Sequence, residues 1–252
     1  MFIDTHCHLT DNYVTGDIDD VLERAAAAGV GTIICPTANP ADIPNAIKIA
    51  EEYDNIFATI GIHPEYAGVD AAQYLTEQVL GHPRVVGIGE IGLDYHEHSD
   101  NRAAQIQLFE QQLWLAKQYN LPVAIHTRDA EADTAAILTG DVRGVMHCFT
   151  SSWELAKTML DRGFYFSASG ILTFKNANEI RETFAKIPVN RIVIETDSPY
   201  CAPVPYRGKV CEPAFVIETA RVLADIHGLQ FGDLETILCE NTARLYPKCH
   251  VK

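Results

Sequence analysis

The segment PVAIHTRDAEADTAAILTGDVRGVMHCF, residues 122–149, holds the unit from which the fold can be read. An apolar, β-rich run at 122–127 leads into helical spacing at 129–139, and a second β-rich run follows at 144–149. Apolar runs without alternation are what a strand buried on both faces needs, and a helix between two such strands predicts a parallel sheet. The pattern repeats outward in both directions. Strand candidates precede it at 2–7, 30–36, 56–62 and 85–91 and follow it at 164–169 and 191–196. Helical spacing occupies 19–28, 41–53, 70–81, 102–119, 152–162, 177–186, 213–227 and 233–245. Eight strands alternating with helices in 252 residues is the arithmetic of an α/β fold closed into a single (β/α)8 TIM barrel. A doubly wound open sheet is the rival, but eight evenly spaced units fit closure better. The longest irregular stretches expected are 92–101 and 198–212. With no Pro-, Gly- or Ser-rich linker, residues 1–252 read as one domain.

Composition narrows the function classes. Acidic side chains number 34 against 19 basic ones, a formal net charge of −15. That balance argues against a broad basic groove coating nucleic acid. The seven cysteines are odd in number and contain no C-x-x-C pair, so neither a disulfide framework nor a thiolate zinc cluster is expected. The N-terminal residues lack the basic and apolar regions of a secretory leader. No apolar run reaches the roughly 18 residues needed to span a bilayer. A reduced, cytoplasmic protein without membrane contact is the expectation.

Ionisable residues gather at the strand ends. His6 and His8 end the first strand, His63 the third; Glu90 lies in the fourth, His126 and His147 near the ends of the fifth and sixth, and Asp197 just past the eighth. In a barrel these ends converge on the mouth that carries the active site. Side chains two apart on a strand point the same way, so His6 and His8 can reach one cation while Cys7 points away. A lone strand histidine is usually a hydrogen-bonded core residue; His6 and His8 together with Glu90, His126, His147 and Asp197 on the same rim read as a metal site. Gly87-x-Gly89-x-x-Gly92 satisfies the dinucleotide pattern, but its glycines begin inside a strand and no helix follows at once, so that site is rejected.

MFIDTHCHLT (1–10), GIHP (61–64), GEIGLDY (89–95), HTRDA (126–130), MHCF (146–149), ETDSPY (195–200), RGK…EPAFV (207–216) and ENTARLY (240–246) resemble, in order, the TatD family of metal-dependent hydrolases, amidohydrolase-type barrels known mostly as deoxyribonucleases. The resemblance spans roughly residues 2 to 246. It implies two divalent metal ions, one on His6, His8 and Asp197 and one on His126 and His147, with Glu90 between them. Nitrogen and oxygen ligands suit zinc, manganese or magnesium. Glu90 and Asp197 are then the catalytic carboxylates, and Asp197 orients the attacking water and accepts its proton.

His63 and Arg128 are expected to bind substrate phosphoryl oxygens, and Arg207 and Lys209 form a further phosphate contact. Asp4 and Glu195 share the inward phase and are expected to orient ligands. Tyr95 reads equally as packing or as a stacking platform. Departures from the family pattern at His96 and Cys211 lie in segments expected on the rim, and His96 with His98 could add a weak metal contact. The implied activity is a 3′-to-5′ exonuclease acting on single-stranded or frayed DNA ends. Alternatives are a metal-dependent esterase or amidohydrolase, such as an aminoacyl-tRNA deacylase, and a non-catalytic metal-binding subunit. An end-trimmer tolerates the charge of −15 if much of the acidity lies away from the mouth, where the metals, Arg128, Arg207 and Lys209 would focus positive potential.

Overall fold

Eight parallel strands form one sheet in the order β1 to β8: β1 (Phe2–Asp4), β2 (Val30–Pro36), β3 (Ile56–Thr59), β4 (Val85–Asp94), β5 (Val123–Arg128), β6 (Gly144–Met146), β7 (Tyr165–Ala168) and β8 (Ile192–Ile194). This is a computed structural model, and it describes residues 1–10, 17–97 and 99–249; His98 and His250 lie outside them. The connecting helices are α1 (Ile18–Ala27), α2 (Ile43–Glu52), α3 (Glu77–Leu80), α4 (Arg102–Tyr119), α5 (Glu131–Ile137), α6 (Trp153–Asp161) and α7 (Asn178–Lys186); α8 (Val216–His227) and α9 (Phe231–Leu245) follow β8.

The strands are buried on both faces, and alternate residues serve two cores. Ile34, Phe57, Val86, Ala124, Val145, Tyr165 and Val193, one from each of β2 to β8, fill the barrel with Leu245 and Tyr246 from the end of α9. Their neighbours, such as Ile33, Ile56, Val85, Val123, Met146, Phe166 and Ile192, pack outward beneath the helices. Both faces meet apolar partners, so neither can show an alternating polar pattern.

The barrel closes along a seam beyond the ladders of β1 and β8. Thr5 N–H donates to Ile194 O (3.0 Å), Asp197 N–H to His6 O (2.9 Å) and His8 N–H to Ser198 O (2.8 Å), and Cys7 and Ser198 form a parallel bridge. Asp4, fully buried, accepts hydrogen bonds from the backbone N–H groups of His6 (3.3 Å) and Thr196 (2.9 Å) and from the Thr196 hydroxyl. It therefore pins the two strand ends together rather than touching an imidazole, which corrects its expected role. The same seam sets His6, His8 and Asp197 side by side.

Several expected elements differ. The helical spacing at 70–81 resolves into a 3-10 turn at Ala71–Gln73 and the four-residue α3, since Thr76 caps a fresh start by accepting from Val79 N–H. Several strand candidates end early, and His6, His63 and His147 lie just past their strands. Strand β4 runs on to Asp94, into a stretch expected to be irregular. Its register against β5 shifts between Ile88 and Ile91, and Glu90 N–H donates to Thr37 O (2.9 Å) instead of to β5. That bulge presents Glu90 to the mouth. Among the described residues no helix is long and apolar enough to cross a membrane.

Candidate metal centre

Glu90 stands at the middle of the mouth, 5% exposed, facing five imidazoles. Its Oε2 lies 3.5 Å from His6 Nε2 and 3.7 Å from His8 Nε2. Its Oε1 lies 2.8 Å from His126 Nδ1, 3.3 Å from His147 Nε2 and 3.8 Å from His63 Nε2. The two oxygens thus divide the histidines into two sets. Asp197 Oδ1 joins the first, 3.8 Å from His6 Nε2 and 3.6 Å from His8 Nε2. His147 sits at the divide: its ring stacks on His6 with centroids 3.7 Å apart, and its Nε2 is 4.0 Å from Asp197 Oδ1. The family resemblance groups His147 with His126; both face Glu90 Oε1, with ring centroids 6.3 Å apart, and His147 also adjoins His6.

The donor set fits a cation. His6 Nε2 and His8 Nε2 face each other at 3.2 Å, where one proton at most can lie between two nitrogen lone pairs. Three clusters made of imidazoles and carboxylates alone bring all their ligand atoms within 4.8 Å: His6, His8 and Asp197; His6, Glu90 and His147; and His63, Glu90 and His126. Borderline and hard divalent cations accept such imidazole–carboxylate sets.

The surrounding groups orient these ligands. Asp94, unforeseen in sequence reasoning, holds His126 Nε2 at 3.2 Å on Oδ2, while its Oδ1 accepts from the backbone N–H groups of His96 and Glu97. It shares the phase of Glu90, two residues apart twice over, a signal lost because the strand was expected to stop at 91. Glu195 Oε1 lies 2.9 Å from His147 Nδ1 and accepts from Cys148 N–H. Buried Gln105 and Gln112 on α4 grip both the N–H and the carbonyl of Asp94 and of Ile62, fixing two rim segments.

Electrostatics follow from this crowding. Burial alone would raise the Glu90 carboxyl, but the imidazoles outweigh it and hold the group well below the usual carboxylate range. Burial lowers His63 to about 4, leaving it neutral at ordinary pH. Burial opposes charging of His126 too, yet Asp94 and Glu90 together raise it to about 9. In the metal-free chain His126 is therefore protonated below that pH, and a cation must displace the proton, so metal affinity should strengthen as pH rises towards about 9. Asp94→Asn should bring the His126 titration down, followed by NMR, and weaken metal binding about 10- to 100-fold. An unchanged titration would show that Asp94 does not govern the ring.

Above the cluster opens a cavity of about 800 Å³. Its lining includes six carboxylates, Asp42, Glu65, Glu90, Asp94, Glu97 and Asp197, and among the described residues Arg128 is the only lysine or arginine. Six of the 34 acidic residues thus line the mouth, and of the three basic residues expected to focus positive potential there only Arg128 is among the lining. Arg128 is itself half exposed and paired with Glu97 at 3.2 Å. Arg207 and Lys209 are absent from the lining: the Arg207 guanidinium lies 3.7 Å over the Phe174 ring and donates to Ala202 O, and Lys209 stands over Tyr206. Tyr95 packs inward, its hydroxyl 2.6 Å from Asp133. His96 pairs with Asp129 at 2.8 Å, and Cys211 is buried rather than on the rim.

A TIM barrel with imidazoles and carboxylates converging at its strand ends has the active-site placement of a barrel enzyme and a donor set for divalent cations, and its relatives make it a metal-dependent hydrolase. The model of TatD related DNases matches residues 3–247. The chain is 40% identical to the metal-dependent hydrolase YabD of Bacillus subtilis, covering 98% of this chain and 99% of that protein. It is 38% identical to YcfH of Escherichia coli, over 98% and 96% respectively. The crystal structure of the E. coli TatD homologue YjjV superposes with a TM-score of 0.87 at 29% identity, covering 98% of both chains. This chain belongs to the TatD family of metal-dependent hydrolases.

Proposed function

We propose that the protein hydrolyses phosphodiester bonds with two divalent cations, zinc, manganese or magnesium, trimming single-stranded or frayed DNA ends from 3′ to 5′. The observation carrying this reading is the division of the imidazoles by Glu90, whose Oε2 faces His6 and His8 and whose Oε1 faces His126 and His147. A carboxylate whose two oxygens face separate sets of imidazoles would suit a site for two cations. His6, His8 and Asp197 would hold one, His126 and His147 the other. When bound, the pair supplies the positive charge and Lewis acidity for an in-line displacement at phosphorus.

The chain's own groups then have distinct tasks. Asp197, its Oδ1 directed at the His6–His8 pair, orients a water and accepts its proton. His63, neutral and 15% exposed on its side chain, donates a hydrogen bond to a phosphoryl oxygen. Arg128 offers a cation at the rim once it exchanges Glu97 for phosphate. Because carboxylates line the cavity, nucleic-acid affinity depends on the cations themselves, and the cavity's size suits a strand end rather than a duplex.

The test incubates metal-free protein, with and without Mg²⁺, Mn²⁺ or Zn²⁺, with end-labelled single- and double-stranded DNA, and includes Asp197→Asn. Nucleotides should be released only with a cation and only by the unsubstituted protein, and chelation should also abolish DNA retention. Release that survives chelation or Asp197→Asn would overturn the mechanism; cleavage of an aminoacyl ester without any DNA release would overturn the substrate.

A further inference from the structure

We infer a second, thiolate-containing metal site beside the centre, formed by Cys148, Cys201 and Asp197 and suited to a soft or borderline divalent cation of the Zn²⁺ or Cd²⁺ kind. Cys148 follows β6 and Cys201 follows β8, strands two apart in the barrel order. Their sulfur atoms and an Asp197 oxygen all lie within 4.8 Å of one another. Two sulfurs on one tetrahedral ion stand about 3.8 Å apart given metal–sulfur bonds of about 2.3 Å, so closure needs only small rotations.

Both cysteines line the main cavity and are partly exposed, which gives a cation a route in. Cys7, Cys35, Cys211 and Cys249, by contrast, are buried. Asp197 faces both sites. Its Oδ1 points at His6 and His8, while the Cys201 thiol donates to its Oδ2 at 3.5 Å. Cys148 is held in place by donating to Ser169 Oγ at 3.2 Å. The third protein ligand would thus be a carboxylate whose Oδ2 accepts from the Cys201 thiol, and all three residues line the cavity. Thiolates prefer soft and borderline cations, whereas Mg²⁺ and Mn²⁺ prefer oxygen, so the two sites differ in which metal they select.

Binding displaces the two thiol protons and fixes Asp197 through Oδ2. If Asp197 handles the attacking water, occupation of the thiolate site inhibits hydrolysis. That consequence rests on the function proposed above, whereas the existence of the site does not.

The experiment titrates the Mn²⁺-loaded protein with Cd²⁺ and follows the ultraviolet thiolate-to-cadmium charge-transfer band, which imidazole and carboxylate ligands do not produce. The band should saturate with one added equivalent. It should disappear in Cys148→Ala and in Cys201→Ala and persist in Cys239→Ala, which alters a thiol next to Met1. Serine substitutions at 148 and 201, with folding checked by circular dichroism, repeat the reading should an alanine variant fail to fold. No band in the wild-type protein, or a band that survives loss of either thiol, would overturn the site. A band without inhibition of DNA hydrolysis would overturn only the coupling through Asp197.

Discussion

Glu90→Gln is expected to leave the protein with little bound metal and to lower its hydrolytic rate by at least about 100-fold, since loss of even an orienting residue around a metal typically costs 10- to 100-fold. Glu90 is almost fully buried and is the carboxylate that five imidazoles share. Glutamine keeps the shape but replaces one acceptor oxygen with an N–H₂ donor, which would face either the His6–His8 set or the His126–His147 set. It also removes the negative charge that offsets the cations. Breaking a buried charge pair by deleting one partner commonly costs about 3–5 kcal/mol, so His8, His126 and His147 should lose part of their raised affinity for protons and the whole cluster its affinity for metal. Metal content by mass spectrometry and turnover would be measured on the same preparation. Full metal content together with an unimpaired rate would remove Glu90 from the centre.

The second large effect is expected at Gly92. Its φ is +145°, and a Cβ there would stand 1.9 Å from the carbonyl oxygen of His126 on β5. Neither strand can retreat easily, because β4 and β5 are paired from Ile91–Ile125 through Asp94–Arg128. Gly92→Ala should therefore destabilise the metal-free protein by about 4 kcal/mol or more, a large fraction of the total stability of an ordinary domain. Gly163 supplies the comparison: its φ is +82° with no atom within 4 Å of a built Cβ. Gly163→Ala should cost only the left-handed backbone strain, about 1–2 kcal/mol. Urea denaturation of both variants decides the matter, and equal costs would show that the close β4–β5 approach is not what requires glycine at 92.

The residues that sequence reasoning reached are those whose placement follows from strand periodicity. His6 and His8 sit two apart, and their imidazole nitrogens meet at 3.2 Å although the ladder of β1 ends at Asp4. Glu90, His126, His147 and Asp197 gather at one mouth because every parallel strand ends at the same face. The residues it did not reach depend on contacts between segments far apart in the chain. Asp94 matters because β4 continues past its bulge and meets His126 across the sheet. Asp4 looked like an orienting ligand partner, but its oxygens are taken by the seam with Thr196. Arg207 and Lys209 looked like phosphate contacts, but the Phe174 and Tyr206 rings engage them instead.

Read alone, the chain establishes an eight-fold strand–helix alternation, a (β/α)8 barrel and the residue types gathered at its mouth, because periodicity and residue chemistry are local properties. Which imidazole faces which oxygen of Glu90, where the carboxylates of the cavity lie, and that Asp197 turns one oxygen to the histidines and the other to Cys201 are settled only in three dimensions. Strand stagger, a bulge and the β1–β8 seam set those relations, and each couples residues whose separation along the chain carries no trace of their distance in space.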